Sequence, residues 1–305
     1  MRIGYSVDLH GSPTGPNPAP TWAGVRQEVL LAEKLGFDAV YVPDHLLYKG
    51  DDGSVGCWES VSFAAAIAAN TSTIEIGHSM VNGPYRSAAL VAKIAETLDE
   101  ISGGRYILGL GAGNTPDSDY AAFGFASDHR YSRFAEAIEI IHGLLKDGSV
   151  DLDGHYHSAH EAELVLRGPR PQGPPIVIAA WGRKMMVLAA RFADECNLFS
   201  EKPQTVETFR PMIEQLEETC VEVGRDPKKM RRSVDMLVNV AGDPAGAEGI
   251  PANMVTGSIE EIAGTMLDLQ GLGVGEVHCY LGPRTIAARE RLERAAELVE
   301  LLHAA

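Results

Sequence analysis

The chain has little cysteine and a shortage of positive charge. Its four cysteines (Cys57, Cys196, Cys220 and Cys279) lie far apart, without a C-x-x-C pair or histidines at metal-ligand spacing. This argues against a disulfide framework or a zinc site and predicts reduced thiols. The chain carries 42 acidic and 26 basic residues, a net charge of −16. Such a balance repels phosphate backbones and anionic lipids, so we expect neither nucleic acid nor a membrane as a partner.

Long apolar runs are also missing. No segment reaches membrane-spanning length, and the first residues lack the basic and then apolar stretch of a secretory signal. We therefore expect a soluble cytoplasmic protein. Hydrophobic residues nevertheless make up 45% of the 305 residues, which is enough for a sizeable core.

Short apolar runs alternate with amphipathic stretches almost throughout. Strand-like runs occupy 3–7, 38–42, 74–79, 106–110, 176–180, 194–199, 233–240 and 276–281. Helical patterns occupy 25–35, 61–69, 88–101, 131–146, 183–192, 206–223, 259–269 and 285–302. Eight β/α units favour a closed barrel over a doubly wound sheet, which usually has about six strands. We predict one α/β domain over 1–305, a (β/α)8 TIM barrel with an insertion between strands four and five. The polar stretch 147–175 of this insertion is predicted to form a short hairpin and a lid.

Catalytic groups of a TIM barrel come from the loops that follow its strands. Asp8 and His10 after the first strand suggest a metal-dependent hydrolase, but the later strands end without the further ligands that such a site needs. The cluster Gly109-Leu-Gly-Ala-Gly113 suggests a dinucleotide fold, but it lacks the G-x-G-x-x-G spacing and the helix that should follow directly. We therefore predict no metal.

A planar cofactor across the strand ends is the third interpretation. Glycines after the fourth strand allow close backbone approach, and Gly182 opens a helix whose free N–H groups, with Arg183, could bind a phosphate. Trp181 offers a flat apolar wall beside it. Each feature has a structural alternative: close packing of the backbone at the barrel rim for the glycines, and core packing for Trp181.

Several stretches resemble the luciferase-like family of flavin- and deazaflavin-dependent oxidoreductases. They are GFDAVYVPDHL (36–46), IEIGHSMVNGPYRSAALVAKIAETLDEISGGRYILGLGAG (74–113), YAAFGF (120–125) with RYSRFAEAIEII (130–141), PPIVIAAWGRKMMVLAARFADECNLF (174–199) and EEIAGTMLDLQGLGVGEVHCYL (260–281). The resemblance implies the barrel fold, a cytoplasmic enzyme and usually a homodimer.

The resemblance also implies roles for single residues. His45 matches the family's proton-handling histidine, and Asp44 matches a residue that positions the cofactor or the histidine. An imidazole near its neutral pKa can exchange a proton with a reacting centre while a hydride moves. A structural alternative is that both residues only cap the strand, and a non-catalytic cofactor-binding barrel is the corresponding alternative function.

The family uses either FMN or the deazaflavin coenzyme F420. Luciferase-type FMN monooxygenases carry an arginine where this chain has Ala112, which favours F420 over FMN. The resemblance places the cofactor against the following residues: Asp44, Ser79, Met80, Gly111, Ala112, Gly113, Asn114, Ala180, Trp181, Gly182 and Arg183.

Two positions depart from the sugar-phosphate dehydrogenases of the deazaflavin branch. Asn114 stands where those enzymes have a glutamate proton donor, and an amide cannot donate a proton at neutral pH. Of the basic residues that hold their substrate phosphate, only Lys202 falls in a matching place. A glucose-6-phosphate type of substrate is therefore disfavoured, and Asp119 becomes the candidate replacement acid.

The end of the third strand carries one further expectation. Deazaflavin-dependent relatives have a bulge with a non-proline cis peptide bond at the place of Ser79-Met80. The resemblance therefore predicts that the peptide bond between Ser79 and Met80 is cis.

Overall fold

Eight parallel strands form a closed barrel, as predicted. The computed structural model describes residues 1–12, 18–50, 53–113, 118–242, 251–282, 284 and 286–305. The barrel strands are Arg2–Ser6, Ala39–Val42, Glu75–His78, Tyr106–Gly111, Ile176–Ala179, Glu195–Leu198, Arg231–Asn239 and Glu276–Gly282. The first strand pairs in parallel with both the second and the last, and the fourth pairs with the fifth, which closes the sheet. Their nearly unbroken burial explains why each reads as an apolar run.

Helices follow the strands and cover them. Their bounds are Trp22–Lys34, Ser60–Asn70, Ala88–Ser102, Ser118–Phe123, Arg130–Asp147, Arg183–Phe192, Val206–Glu222, Ile259–Gln270 and Ala288–Ala304, with 3-10 turns at Gly83–Tyr85 and Pro227–Lys229. The helix Ser118–Phe123 was not predicted, and the last helix begins three residues later than its pattern indicated. Within the described residues, no helix is long and apolar enough to cross a membrane.

The chain forms two compact units, each built from separate segments. The first consists of Met1–Val7, Arg26–Tyr41 and Ile178–Ala305, and the second of Asp8–Val25 and Val42–Val177. A single domain over 1–305 stays a prediction.

The second unit also contains two small sheets that are separate from the barrel sheet. The insertion after the fourth strand contains the expected hairpin, formed by Ser149–Asp153 and Ser158–Glu163. The Glu136 carboxylate accepts hydrogen bonds from three consecutive backbone N–H groups of the connecting turn, at 3.1, 2.7 and 2.9 Å. A three-stranded sheet of His10–Gly11, Leu47–Gly50 and Gly53–Cys57 was not predicted.

The motif Ser102-Gly-Gly-Arg105, which contributes to the family resemblance, has a structural role. The Arg105 guanidinium donates to the carbonyl oxygens of Ala68, Thr71 and Ile74 at 3.0, 3.0 and 2.6 Å. These carbonyls lie at the end of the helix Ser60–Asn70 and in the turn that leads to the third barrel strand. Arg105 therefore joins two successive β/α units, and the motif reflects folding rather than chemistry.

Candidate active site

Asp44, at the end of the second barrel strand, is the centre of a buried polar network in the second unit. Its carboxylate accepts the Ser60 hydroxyl at 2.6 Å and the backbone N–H of Asn82 at 2.8 Å. Arg86 donates to both of its oxygens, at 2.6 and 3.2 Å. The Asp44 side chain is fully shielded from solvent. Charge-assisted bidentate bonds of this kind fix position as well as charge, so Asp44 anchors the strand end.

Arg86 extends this network to the protein surface. Its second guanidinium nitrogen donates to Glu59 at 2.6 Å, and Glu59 also caps the helix Ser60–Asn70 by accepting two backbone N–H groups. Burial acts to raise the pKa of Glu59, but the hydrogen bonds from Ser62, Arg86 and Val61 outweigh it and lower that pKa to about 2. Sequence reasoning missed Arg86, although it lies inside the 74–113 block that resembles the family.

His45 follows the anchored Asp44 directly. Its ring lies 4.9 Å from the ring of Tyr48, centroid to centroid, and is partly buried. Burial lowers the pKa of His45 below its ordinary value; the charges of Asp44 and Asp119 act against this, and His10 adds to it. Among the described residues, none forms a hydrogen bond with the imidazole. His45 is therefore a neutral imidazole at neutral pH, available to an incoming molecule.

The end of the third strand has the predicted bulge. The Ser79–Met80 peptide bond is cis, as expected. A β-carbon at Gly109 would lie 1.8 Å from the His78 carbonyl oxygen and 2.7 Å from the Met80 sulfur, so only glycine fits beside the bulge. The Ser79 hydroxyl is buried and has no hydrogen-bond partner in the part of the chain that the structure describes, which leaves it available to a polar group of a ligand.

The residues at the end of the fourth strand, from Gly111 to Gly113, differ in their surroundings. Gly113 has a φ of +88°, and a β-carbon there would lie 2.1 Å from the Tyr120 hydroxyl. That hydroxyl donates to the Asn82 side chain at 2.9 Å. Gly113 thus admits Tyr120, which is a packing role, whereas Gly111 and Ala112 stay partly exposed. Asn114 lies outside the described residues.

Asp119 is buried rather than free. The Tyr85 hydroxyl donates to one of its oxygens, and the Tyr120 backbone N–H donates to the other at 3.0 Å. Burial and the bond to Asp119 raise the pKa of the Tyr85 phenol well above its ordinary value. Tyr85 was not singled out in the sequence, where no local pattern marks its pairing with Asp119.

In the first unit, the predicted phosphate site contains an arginine that already has a carboxylate partner. Gly182 precedes the helix Arg183–Phe192 and has open space where a side chain would be. However, the Arg183 guanidinium binds the Glu222 carboxylate at 2.7 and 2.5 Å. Trp181 is 56% exposed and lies against Phe199, which excludes the core-packing alternative for its ring. Ala180 is fully buried.

The first unit also holds a buried polar cluster that the sequence did not indicate. His278 binds Asp235 at 3.0 Å and stacks on Tyr41 with ring centroids 3.7 Å apart. Burial acts to lower the pKa of His278, but the Asp235 bond and nearby carboxylates outweigh it and raise that pKa. Burial and a neighbouring carboxylate raise the pKa of Glu195. The described residues contain no group of histidine, cysteine and carboxylate side chains that could hold a metal ion.

Comparison with known proteins places the chain in a family. Residues 1–250 match the family described as luciferase-like monooxygenase. The chain belongs to this family. It is 31% identical over 232 residues to a 5,10-methylenetetrahydromethanopterin reductase of Methanolobus tindarius, covering 75% of this chain and 66% of that protein. It is 28% identical over 253 residues to an F420-dependent glucose-6-phosphate dehydrogenase of Kineococcus radiotolerans, covering 79% and 72%.

A solved structure agrees on the fold. An F420-dependent secondary alcohol dehydrogenase, in complex with an F420-acetone adduct, superposes with a TM-score of 0.80 at 19% identity, over 99% of this chain and 98% of that one. The chain spans just under two thirds of the Methanolobus reductase, 66% of its length. The relatives include F420-dependent enzymes, and the description of the matching family names monooxygenases.

Proposed function

We propose that this protein is an F420-dependent oxidoreductase that transfers a hydride between the deazaflavin and a small organic substrate. His45 exchanges the accompanying proton. The observation that supports this role is the partly buried imidazole of His45, which has a lowered pKa and no hydrogen-bond partner among the described residues. A neutral imidazole accepts a proton from a substrate hydroxyl and returns it in the reverse direction.

The surrounding residues fit a ring-shaped cofactor in the second unit. The buried Ser79 hydroxyl has no hydrogen-bond partner among the described residues, and Met80 lies on the bulge. Gly111 and Ala112 add no bulky side chain. These residues would contact the ring, while Asp44 fixes the strand end from which His45 projects. When bound, the deazaflavin supplies a two-electron hydride acceptor or donor.

Cofactor binding tests the proposal directly. Because Ala112 replaces the arginine of the FMN-dependent branch, we expect tighter binding of F420 than of FMN in fluorescence titrations. The variant Ala112→Arg should narrow this difference by adding a cation for the FMN phosphate. Tighter binding of FMN to the unmodified protein, or purification with tightly held yellow FMN, would contradict the assignment.

An FMN-dependent luciferase-like monooxygenase is the second candidate, and the description of the matching family favours it. The two candidates differ in their use of oxygen. A monooxygenase consumes oxygen in the presence of reduced flavin and substrate, whereas the F420-dependent reaction proceeds at the same rate under anaerobic conditions.

We also propose a cytoplasmic homodimer. The outer face of the helix Ala88–Ser102 carries the apolar residues Leu90, Ile94 and Ile101, and Leu90 and Ile101 are 50% and 44% exposed. Burial of such a stripe against a second copy would remove apolar surface from water. We expect Leu90→Asp combined with Ile101→Asp to yield monomers in light scattering. The control Val221→Asp, at an apolar residue that is 66% exposed on another helix, should leave the dimer intact; a monomeric unmodified protein would refute the proposal.

A further inference from the structure

Asp119 and Asp44 are both buried carboxylates of the second unit, but they differ in their partners. Asp44 is neutralised by the Arg86 guanidinium at 2.6 Å. Asp119 is only 5% exposed, yet its hydrogen bonds come from the Tyr85 hydroxyl and the Tyr120 backbone N–H, which are both neutral. Among the described residues, no cation forms an ion pair with Asp119. Its negative charge therefore stays uncompensated in a shielded position.

The fold brings this charge close to His45. The helix Ser118–Phe123, which carries Asp119, packs against the strand Leu47–Gly50 that begins two residues after His45. The ring of Tyr85, which holds the carboxylate, lies 5.3 Å from the ring of Tyr120 and 5.1 Å from that of Phe125. Aromatic surroundings screen charges poorly, so the field of Asp119 extends to the imidazole.

We propose that Asp119 is a positioning residue whose carboxylate, oriented by Tyr85, stabilises the protonated imidazole of His45 and does not itself supply the proton. The inference rests on the function proposed above and replaces the expectation that Asp119 is the catalytic acid. When the substrate hydroxyl loses its proton, that proton moves to the His45 ring nitrogen. The proton stays on His45, and the Asp119 carboxylate offsets the cost of a cation in a partly buried site.

Two carboxylates favour the protonated ring of His45, and they differ in their partners. Asp44 has the larger effect and is held in an ion pair with Arg86, whereas Asp119 has the second effect and its printed hydrogen bonds come from neutral groups. His10 acts in the opposite direction and is bound by Asp8 at 2.7 Å. Burial lowers the pKa of His45, and Asp119 is the carboxylate without a cationic partner that counteracts this effect.

The experiment is an NMR titration of the His45 ring in the cofactor-free protein, with the signal assigned by its loss in His45→Gln. In Asp119→Asn, which keeps the size and the acceptor for Tyr85, we expect the titration midpoint to move to lower pH. Asp119→Glu, which keeps the charge, should return the midpoint toward that of the unmodified protein. The matched control is Asp128→Asn, at an exposed carboxylate paired with His129, and it should leave His45 unchanged.

The outcomes separate this inference from the proposed function. An unchanged His45 midpoint in folded Asp119→Asn would overturn the inference, and the titration needs neither cofactor nor substrate. In turnover, the inference predicts that Asp119→Asn moves the pH profile of kcat/KM to lower pH with activity retained. Loss of turnover at every pH, with the midpoint of His45 unmoved, would instead identify Asp119 as the acid.

Discussion

His45→Ala should lower turnover by about 10²- to 10⁴-fold, the usual effect of losing a general acid or base. The substitution removes the proposed acceptor of the substrate proton, but the Asp44 network next to it stays intact because none of the Asp44 hydrogen bonds involves the imidazole. Cofactor affinity should therefore stay nearly unchanged. The measurement compares kcat and the cofactor Kd for the best substrate from a screen of secondary alcohols, imines and enones.

The control for this prediction is His155→Ala. His155 is exposed in the turn of the hairpin, and its ring contacts the neighbouring Tyr156, so the variant should keep full activity. If His45→Ala retains near-normal turnover, His45 only caps its strand and the proposed mechanism is wrong. A parallel loss of cofactor affinity would instead assign His45 to cofactor binding.

The pH dependence follows from the direction of the shift. Since burial lowers the pKa of His45, its basic form prevails from below the ordinary histidine value upward. For hydroxyl oxidation, kcat/KM should therefore rise with pH and level off below the ordinary pKa of histidine. In the reverse direction the protonated imidazole is required, and the rate should fall over the same range.

The alternation of apolar runs was sufficient to predict the barrel. Strands such as Ile176–Ala179 are buried on both faces, so all of their residues are apolar and the local sequence predicts the strand. The helix Arg183–Phe192 was predicted with its observed bounds because Gly182 precedes it and its apolar positions recur with helical spacing. The sheet that contains Leu47–Gly50 and Gly53–Cys57 was missed, since its residues are largely polar, glycine-rich or exposed.

Features of the site could be predicted where they depend on a short local segment of the chain. The cis peptide bond between Ser79 and Met80 follows from the family resemblance and is confirmed. The role of His45 follows from the same resemblance and stays a prediction. Pairings between distant segments could not be predicted, because no local pattern records them. Arg183 pairs with Glu222, 39 residues along the chain, and Asp119 accepts the Tyr85 hydroxyl, 34 residues away. The roles expected of Arg183 and Asp119 stay predictions.

The buried pair of Asp44 and Arg86 should contribute strongly to the stability of the protein. Arg86→Ala leaves the Asp44 carboxylate, whose side chain is fully shielded, without its cation. Breaking a buried ion pair from one side typically costs about 3–5 kcal/mol, because the remaining charge keeps its desolvation cost. We therefore expect the free energy of unfolding, measured by chemical denaturation at neutral pH, to fall by about that amount. Arg86→Lys keeps the charge but loses the bidentate geometry, so its free energy of unfolding should lie between those of the unmodified protein and Arg86→Ala.

The matched control is Arg183→Ala, which removes an arginine from a carboxylate pair of similar geometry in which both side chains are about half exposed. Solvent screens such a pair and rehydrates the carboxylate that is left behind, so its removal should change stability far less. Adding Asp44→Asn to Arg86→Ala should restore part of the lost stability, since the uncompensated charge is then gone. A loss for Arg86→Ala no greater than that for Arg183→Ala would show that Asp44 is reached by water or protonated in the variant, and that the network does not anchor the strand end.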